Sequence, residues 1–264
     1  MENTLHSLEQ FKSDLMALGV RPGDTILMHS SYKALGGVKD GAAGIFKALT
    51  ELLGPEGTLI LPALSYASVT PENPVYIHEE TPSCIGYLPE YFRTQVPGVI
   101  RSIHPTHSCC LKGKRAEEMA KDHELDLTPV GPNSPFAKLP QVDGKILLLG
   151  SHTSSNTIMH GVEETAEPPY LFDRNNRTEY VIRVGDKEIK QNALRHCFTR
   201  TDVAYAQCYT RVLDLLEGDE VAHSKVLDAD CWLLSAKAVW EKGHAKLKED
   251  PFYFVDRIEL NKEN

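Results

Sequence analysis

The sequence predicts an α/β fold with three layers, in which helices flank a mixed, mainly parallel sheet. Three short apolar runs, at residues 25–28, 58–61 and 145–149, are typical of strands that are buried on both faces of a parallel sheet. A helical pattern lies between the first two runs, so strand, helix and strand form a unit whose crossover we expect to be right-handed. Helices are therefore expected on both sides of the sheet.

Two amphipathic helices are expected in the N-terminal part of the chain. The apolar positions of the first helix are Leu5, Leu8, Phe11, Leu15 and Leu18. Their spacing predicts a helix that ends at Gly19, where a left-handed residue commonly stops a helix. The second helix is expected to begin with Asp40 as its N-cap and to end at Gly54.

The middle of the chain alternates between irregular and helical patterns. Residues 65–82 show no periodicity and predict a loop leaving the carboxyl end of the second strand, where loops commonly line sites. Helices are expected near residues 88–94 and 115–122, with a polar segment at 101–108 between them. Another helix is expected to begin near Thr157, after the third strand.

The C-terminal part predicts an antiparallel hairpin added to the parallel core. Residues 178–184 alternate between apolar and polar, and Gly185-Asp186 is typical of a tight turn before residues 187–189. The hairpin is expected to make the sheet mixed. Residues 229–240 predict a short strand or turn that runs into a helix.

No internal repeat or linker interrupts the pattern, so we expect a single domain over residues 1–264. Its core is expected at residues 1–169 and a C-terminal α+β portion at residues 170–264. The six cysteines are scattered, and none forms a C-x-x-C pair, so reduced thiols are expected.

The composition excludes several classes of protein. Hydrophobic residues make up 41% of the chain, and 28 basic against 37 acidic residues give a net charge of −9, as in ordinary globular proteins. An acidic chain without a basic stripe argues against nucleic acid as a partner. No apolar run approaches the about 20 residues that span a bilayer, and the N-terminus lacks the pattern of an export signal. We therefore expect a cytoplasmic protein without membrane contact.

The most informative segment for chemistry is residues 150–164, where a strand end, a polar loop and a helix start meet. His160 would lie near the start of the helix, with Glu163 and Glu164 at i+3 and i+4. The helix N-terminus favours a neutral imidazole, and a carboxylate one turn on can orient it, as a general base requires. On spacing alone, the better-supported interpretation is a partly buried helix residue with surface glutamates behind it.

A second candidate is the polar turn at residues 101–108, which gathers Arg101, His104 and His107 around a rigid proline. Such a turn offers donors for a phosphate, an amide or a carbonyl oxygen. Two alternatives remain open. One is a metal site that uses His104 and His107 with Cys109 or His123, although its spacing is nonstandard, and the other is a satisfied polar turn packed on the sheet.

A third candidate is the carboxyl end of the first strand, His29-Ser30-Ser31, because ligands of open α/β sheets bind outside such strand ends. The glycine pair that follows, Gly36-Gly37, would let a ligand approach the backbone. The chain has no Walker loop, no dinucleotide G-x-G-x-x-G and no G-x-S-x-G elbow, which argues against kinases, dehydrogenases and serine hydrolases.

Together, several segments in order resemble the aminoglycoside 3-N-acetyltransferase family. The segments that carry the resemblance are residues 29–36, 54–62, 81–90, 101–108, 131–135, 144–150 and 156–164. The resemblance implies an α/β fold distinct from that of the common GNAT acetyltransferases. It also implies acetyl-coenzyme A as cosubstrate without a metal, and transfer of the acetyl group to an amine of an aminoglycoside or a related amino compound.

The resemblance also implies roles for individual residues. The family motif T-x-x-H-x-x-E matches Thr157, His160 and Glu163, which implies His160 as catalytic base and Glu163 as its partner. The residues implied for the coenzyme cleft are Ser30, Ser31, Leu35, Gly36, Gly37, Val38, Arg101, Ser102, His104, His107, Ser108 and Thr157.

One departure concerns the acceptor side of the site. Relatives often carry an aspartate where this chain has Ile77, so Glu79, Glu80 and Glu164 are the candidates for holding the substrate amine. The alternatives are a metal-dependent hydrolase and a coenzyme-binding protein without transfer activity. A homodimer is compatible with the sequence.

Overall fold

The structure is a computed structural model that describes residues 5–260. The helices are α1 Leu8–Leu18, α2 Gly41–Leu53, α3 Tyr87–Gln95, α4 Ala116–Ala120, α5 Pro135–Lys138, α6 Ile158–Ala166 and α7 Ala236–Glu249. The strands are β1 Thr25–Ser30, β2 Thr58–Pro62, β3 Val75–Ile77, β4 Ile100–Arg101, β5 Cys109–Gly113, β6 Lys145–Leu149, β7 Phe172–Val184, β8 Lys187–His196, β9 Val203–Gln207, β10 Val221–Val226, β11 Ala229–Ser235 and β12 Val255–Glu259. Over the described range, no helix has the length and hydropathy needed to cross a membrane.

The main sheet has seven strands in the order β10-β11-β6-β1-β2-β5-β4. At its centre, β1 pairs in parallel with both β2 and β6, so that Leu27 faces Ile60 on one side and Ile146 on the other. The other four neighbouring pairs are antiparallel. The mixed α/β class is confirmed. Parallel pairing is limited to the three central strands, however, and is not the majority that we expected. The polar turn before Cys109 reverses the chain, so β5 returns antiparallel to β2.

Helices cover both faces of this sheet, as the apolar runs predict. Alternate residues of β1 point to opposite faces, since successive side chains of a strand alternate. Ile26 and Met28 join a core with α1, α2 and α3, whereas Leu27 joins a core with α6 and α7. The three-layer arrangement therefore follows from strands that are buried on both sides.

The hairpin does not join the main sheet, which corrects the expectation from sequence. Strands β7 and β8 pair antiparallel and are longer than predicted, and β7 also pairs in parallel with β3. β3 lies within residues 65–82, where a loop was expected. These three strands form a separate sheet because Tyr180 and Ile182 pack on Tyr76 in a small core of their own.

The start of α1 and the capping of α2 differ from the expectation, whereas α2 does begin directly after Asp40. α1 begins at Leu8, because the side chain of Ser7 accepts a hydrogen bond from the backbone N–H of Gln10, and Leu5 lies outside the helix, 57% exposed. Asp40 precedes α2 with φ of 60° and makes no side-chain capping bond. The predicted end of α1 at Gly19 is confirmed, with φ of 116°.

The carboxyl ends of β1 and β6 lie side by side, with Ser30 opposite Leu149. The loop that follows β6 leads directly into α6. A close contact of α6 with α7 sets its position, since a Cβ at Gly161 would lie only 2.4 Å from the ring of Trp240. The glycine that follows His160 therefore serves packing, and it anchors the helix beside the strand ends.

Candidate active site

A cleft of about 460 Å³ opens at the carboxyl ends of the central strands. His29 and Ser30 line it from β1, and Asn156 and Thr157 line it from the loop before α6. The polar turn contributes His107. Further lining residues from the C-terminal part are Arg195, His196, Phe198, Gln207 and Tyr209. Part of the lining of the cleft therefore comes from residues beyond position 169, where the sequence shows no candidate motif.

His160 lines this cleft from the first turn of α6, and its side chain keeps 16% of its surface exposed. Its Nδ1 lies 3.0 Å from the hydroxyl oxygen of Tyr209. Its ring stacks on His196, with centroids 4.5 Å apart. The ring is therefore held on one side and open to the cleft on another.

Glu163 is completely buried behind His160. Its Oε2 lies 3.6 Å from His160 Nδ1, which is too far for a hydrogen bond. Instead, its two oxygens accept hydrogen bonds from Tyr170, at 2.7 Å, and Tyr209, at 2.6 Å. Burial and the neighbouring Glu163 raise the pKa of both tyrosines far above the ordinary value, so both keep their protons.

Tyr209 thus connects His160 to Glu163. A carboxylate can only accept hydrogen bonds, so the single proton of the Tyr209 hydroxyl points to Glu163. The oxygen of Tyr209 then accepts from His160, which places a proton on Nδ1 of the imidazole. The other nitrogen, Nε2, carries the lone pair.

Glu164 lies behind a different histidine. Its Oε1 is 2.7 Å from Nε2 of His196 and also accepts from the backbone N–H of Val130. Burial raises the pKa of Glu164 to about 7 and lowers the pKa of His196 well below its ordinary value. This carboxyl therefore supports His196 and does not line the cleft, contrary to its predicted place beside the substrate amine.

Three histidines meet in the cleft. The ring centroid of His107 lies 5.8 Å from that of His160 and 5.7 Å from that of His196. Each of the three rings has one nitrogen that lies within 4.8 Å of a nitrogen of both other rings. The metal set expected from sequence is different and is not assembled. Nδ1 of His104 accepts from the backbone N–H groups of Thr106 and His107, and its ring stacks on His123.

Only part of the coenzyme set implied by the resemblance lines the cleft. Ser30, His107 and Thr157 do so. Five others do not: Ser31, Leu35, Gly36, Gly37 and Val38. Leu35 and Val38 are buried in the core with α1 and α2, and Gly36 lies against the side chain of Asp228. Packing in the core or against Asp228 therefore accounts for the positions of Leu35, Val38 and Gly36.

Except for Thr106 and His107, the polar side chains of residues 101–108 bond backbone groups and side chains around the turn and do not line the cleft. Arg101 donates to the hydroxyl of Ser108 and to three backbone carbonyls, and its guanidinium lies 5.0 Å from the ring centroid of Tyr76. Ser102 accepts from the backbone N–H of Cys109 and contacts His123. For Arg101 and Ser102 the satisfied-turn interpretation fits, because their donors and acceptors are used internally. His104 fits it only in part, since its buried Nε2 has no hydrogen-bond partner among residues 5–260.

The two loop glutamates predicted near the substrate lie away from the cleft. Glu79 accepts from the backbone N–H of Gly185 at the hairpin turn, and Glu80 is exposed on the same loop. Neither side chain lines the cleft that contains His160. Ile77 belongs to β3 and pairs with Arg183.

Acid should destabilise the protein steeply, because buried histidines cannot take up protons in the folded state. Burial lowers the pKa of His29 to about 3, with help from neighbouring His160, and lowers that of His104 to about 3. The unfolded chain protonates both rings below the ordinary pKa of 6.5. Stability is therefore lost as the pH falls from 6.5 towards 3, by about 1.4 kcal/mol per pH unit for each ring.

Urea unfolding at a series of pH values checks this expectation. His104→Asn removes one titrating ring, and its side-chain oxygen replaces Nδ1 as acceptor. Comparison with this variant isolates the contribution of His104 from those of other buried groups, including the opposing Glu164. The variant should lose stability less steeply by about 1.4 kcal/mol per pH unit. Parallel slopes for the two proteins would contradict the assignment.

A family model described as aminoglycoside 3-N-acetyltransferase matches residues 27–248. Aminoglycoside N(3)-acetyltransferase IV of Salmonella is 38% identical over 243 residues, which cover 91% of this chain and 87% of that protein.

Two solved structures have the same fold. The structure of a histidine-to-alanine variant of aminoglycoside acetyltransferase AAC(3)-IVa with gentamicin has a TM-score of 0.78 at 28% identity, and covers 96% of this chain and 93% of its own. The binary structure of AAC-IIIb with CoASH has a TM-score of 0.79 at 27% identity, and covers 93% and 97%.

Proposed function

The chain belongs to the aminoglycoside 3-N-acetyltransferase family of acyltransferases, and we propose that it transfers the acetyl group of acetyl-coenzyme A directly to an amine of an aminoglycoside, with His160 as general base. One observation carries the proposal: His160 opens on the cleft while Tyr209 links its Nδ1 to the buried Glu163. Relatives with bound CoASH and gentamicin support the two substrates.

The proposed step is a single displacement at the thioester carbonyl. The amine nitrogen attacks the carbonyl carbon as Nε2 of His160 accepts the proton of the amine. A carbon–nitrogen bond forms, the carbon–sulfur bond breaks, and the leaving thiolate takes up the proton that His160 has accepted. General base catalysis of this kind contributes about 10²- to 10⁴-fold.

Glu163 stabilises the cation that forms on His160. Its negative charge is held in a fully buried place by two tyrosine hydroxyls, so it does not need to reorganise during the reaction. Tyr209 carries this effect to the ring, because its oxygen accepts from Nδ1 of His160. Tyr209 is therefore a positioning residue, and it keeps the lone pair on the cleft side of the imidazole.

The cleft also contains polar side chains that are suited to bond the substrates. Ser30, Ser151 and Asn156 line the cleft, and each has a buried side-chain polar atom without a hydrogen-bond partner among residues 5–260. Buried polar groups are normally satisfied, so these atoms are expected to bond a ligand. The amide of Asn156, just before α6, is the donor that we assign to the oxyanion of the tetrahedral intermediate. Amides of pantetheine are suitable partners for the two serines.

A thiol-release assay with a panel of acceptors tests the proposed function. Purified protein is incubated with acetyl-coenzyme A and aminoglycosides, other amino sugars, polyamines or peptides, and mass spectrometry identifies the acetylated product. We expect thiol release coupled to a monoacetylated aminoglycoside, and none with the same aminoglycoside already acetylated at its 3-amino group. Coenzyme binding without any acetylated amine would contradict the proposal and favour a binding protein.

A further inference from the structure

We propose that His107, His160 and His196 form a site for a divalent transition-metal ion, such as Zn²⁺, and that the bound ion inhibits acetyl transfer by occupying Nε2 of His160. Three imidazoles with an open position towards a cleft are a common ligand set for Zn²⁺ in proteins. The binding part of this inference is independent of the proposed function, whereas the inhibition rests on it.

The three rings come from separate parts of the fold. His107 belongs to the polar turn, His160 to α6 and His196 to the last position of β8. The ring of His107 is nearly perpendicular to the other two, at 86° and 79°, and its centroid lies less than 6 Å from both. The neutral imidazole ring is the form that binds a metal.

Each ring has one nitrogen held by a neighbour. Nδ1 of His107 lies 2.9 Å from the hydroxyl of Thr106, which leaves Nε2. Nδ1 of His160 is held by Tyr209, which also leaves Nε2.

The third ring completes the pattern. Nε2 of His196 is held by Glu164, which leaves Nδ1. Metal-binding histidines are characteristically held in this way by a carboxylate, carbonyl or hydroxyl on the second nitrogen. Glu164 holds Nε2 of His196 at 2.7 Å and so fixes the orientation of that ring.

The distances fit a site that tightens when the ion binds. Nitrogens that coordinate Zn²⁺ at 2.0–2.1 Å in a tetrahedron lie about 3.3 Å from one another. One ligand nitrogen of each ring already lies within 4.8 Å of the others, so the nitrogens must draw together by up to about 1.5 Å, with some rotation of the stacked rings of His160 and His196. The fourth position would face the cleft and hold water.

Occupancy would stop catalysis for two reasons. The ion takes the lone pair on His160 that accepts the proton of the amine. It also places a double positive charge where a cationic amino sugar must approach, which is unfavourable in a partly enclosed cleft. Inhibition should therefore be reversed by a chelator and should be relieved by loss of any of the three rings.

Metal binding can be tested without any assay of activity. Chelator-treated full-length protein is titrated with Zn²⁺ by equilibrium dialysis, and with Co²⁺ by absorption spectroscopy, which reports tetrahedral coordination. We expect one tightly bound ion per chain. His107→Ala and His196→Ala should each weaken binding by about 100-fold or more, since each removes a ligand. His152→Ala, on the nearby loop, should bind as the unchanged protein does.

The free thiols supply the competing explanation. Cys197 follows His196 directly and Cys84 is exposed, so Cys84→Ser and Cys197→Ser are included. Binding that survives both histidine substitutions but is lost with the thiols would overturn the proposal, as would the absence of a tight site. If a histidine variant fails to fold, the Co²⁺ spectrum of the unchanged protein identifies the ligands. Thiolate coordination gives charge-transfer bands that imidazole coordination lacks, so such bands would overturn the proposal.

Inhibition is measured by product mass, since a free thiol would itself bind Zn²⁺. We expect Zn²⁺ to abolish acetylation by the unchanged protein and a chelator to restore it. The rate of acetylation by His196→Ala should be nearly the same with Zn²⁺ as without it. Tight binding by a protein that acetylates no amine would refute the proposed function and leave the site intact. Acetylation with no tight metal site would refute only the site.

Discussion

Replacing His160 by alanine is expected to lower kcat for acetyl transfer by about 10²- to 10⁴-fold while affinity for the coenzyme stays nearly unchanged. The imidazole lines the cleft and supplies the lone pair that accepts the proton of the amine. No other residue in our proposal has this role. Steady-state kinetics of the purified variant, with binding of coenzyme A measured separately by calorimetry, check the two parts.

Chemical rescue distinguishes loss of the base from loss of structure. The alanine variant leaves a space beside Tyr209, and added imidazole should restore part of the turnover. His244→Ala, far along α7, serves as a matched control with the same change of side chain. Turnover in the His160 variant equal to that of this control would remove His160 from the mechanism.

Replacing Tyr209 by phenylalanine should lower kcat by about 10- to 100-fold and leave KM for acetyl-coenzyme A almost unchanged. The substitution breaks the link between Nδ1 of His160 and Glu163. A hydrogen bond to a charged group is worth about 1.5–3 kcal/mol, which corresponds to this range. Steady-state kinetics that separate kcat from KM provide the measurement.

Tyr170 provides a control within the same site. Tyr170→Phe removes a similar hydrogen bond to Glu163, at 2.7 Å, but Tyr170 makes no hydrogen bond to His160. The two variants should lose similar stability, whereas the loss of kcat should be greater in Tyr209→Phe. Equal losses of kcat would mean that burial of the Glu163 charge matters and that the link to His160 does not.

Local patterns were sufficient to predict the core layers. The apolar runs at β1, β2 and β6 each form strands buried on both faces, and the helices that cover them begin and end within a few residues of the expected positions. The location of the hairpin was harder to predict. Periodicity identifies a strand and its faces but not its partner, and the pairing of β7 with the short β3 depends on tertiary contacts.

The candidate site shows the same limit. His160 and Glu163 share a helix, so their spacing could be read directly from the sequence. Tyr209 and His196 lie far along the chain. Nothing local marks a tyrosine in a 3-10 turn, or a histidine at the end of an antiparallel hairpin strand, as part of a site. Predicted contacts failed where backbone groups compete, as for Arg101, whose donors are used by nearby carbonyls.

The separate three-stranded sheet has a consequence for how acceptor preference can change. Its last strand brings Arg195 and His196 to the cleft, while its stability rests on a small core of its own around Tyr76 and Tyr180. Changes in this sheet can therefore reshape one wall of the cleft without disturbing the two cores of the main sheet. Under the proposed function, variation in this sheet that keeps His196 is expected to alter acceptor preference more than proton transfer.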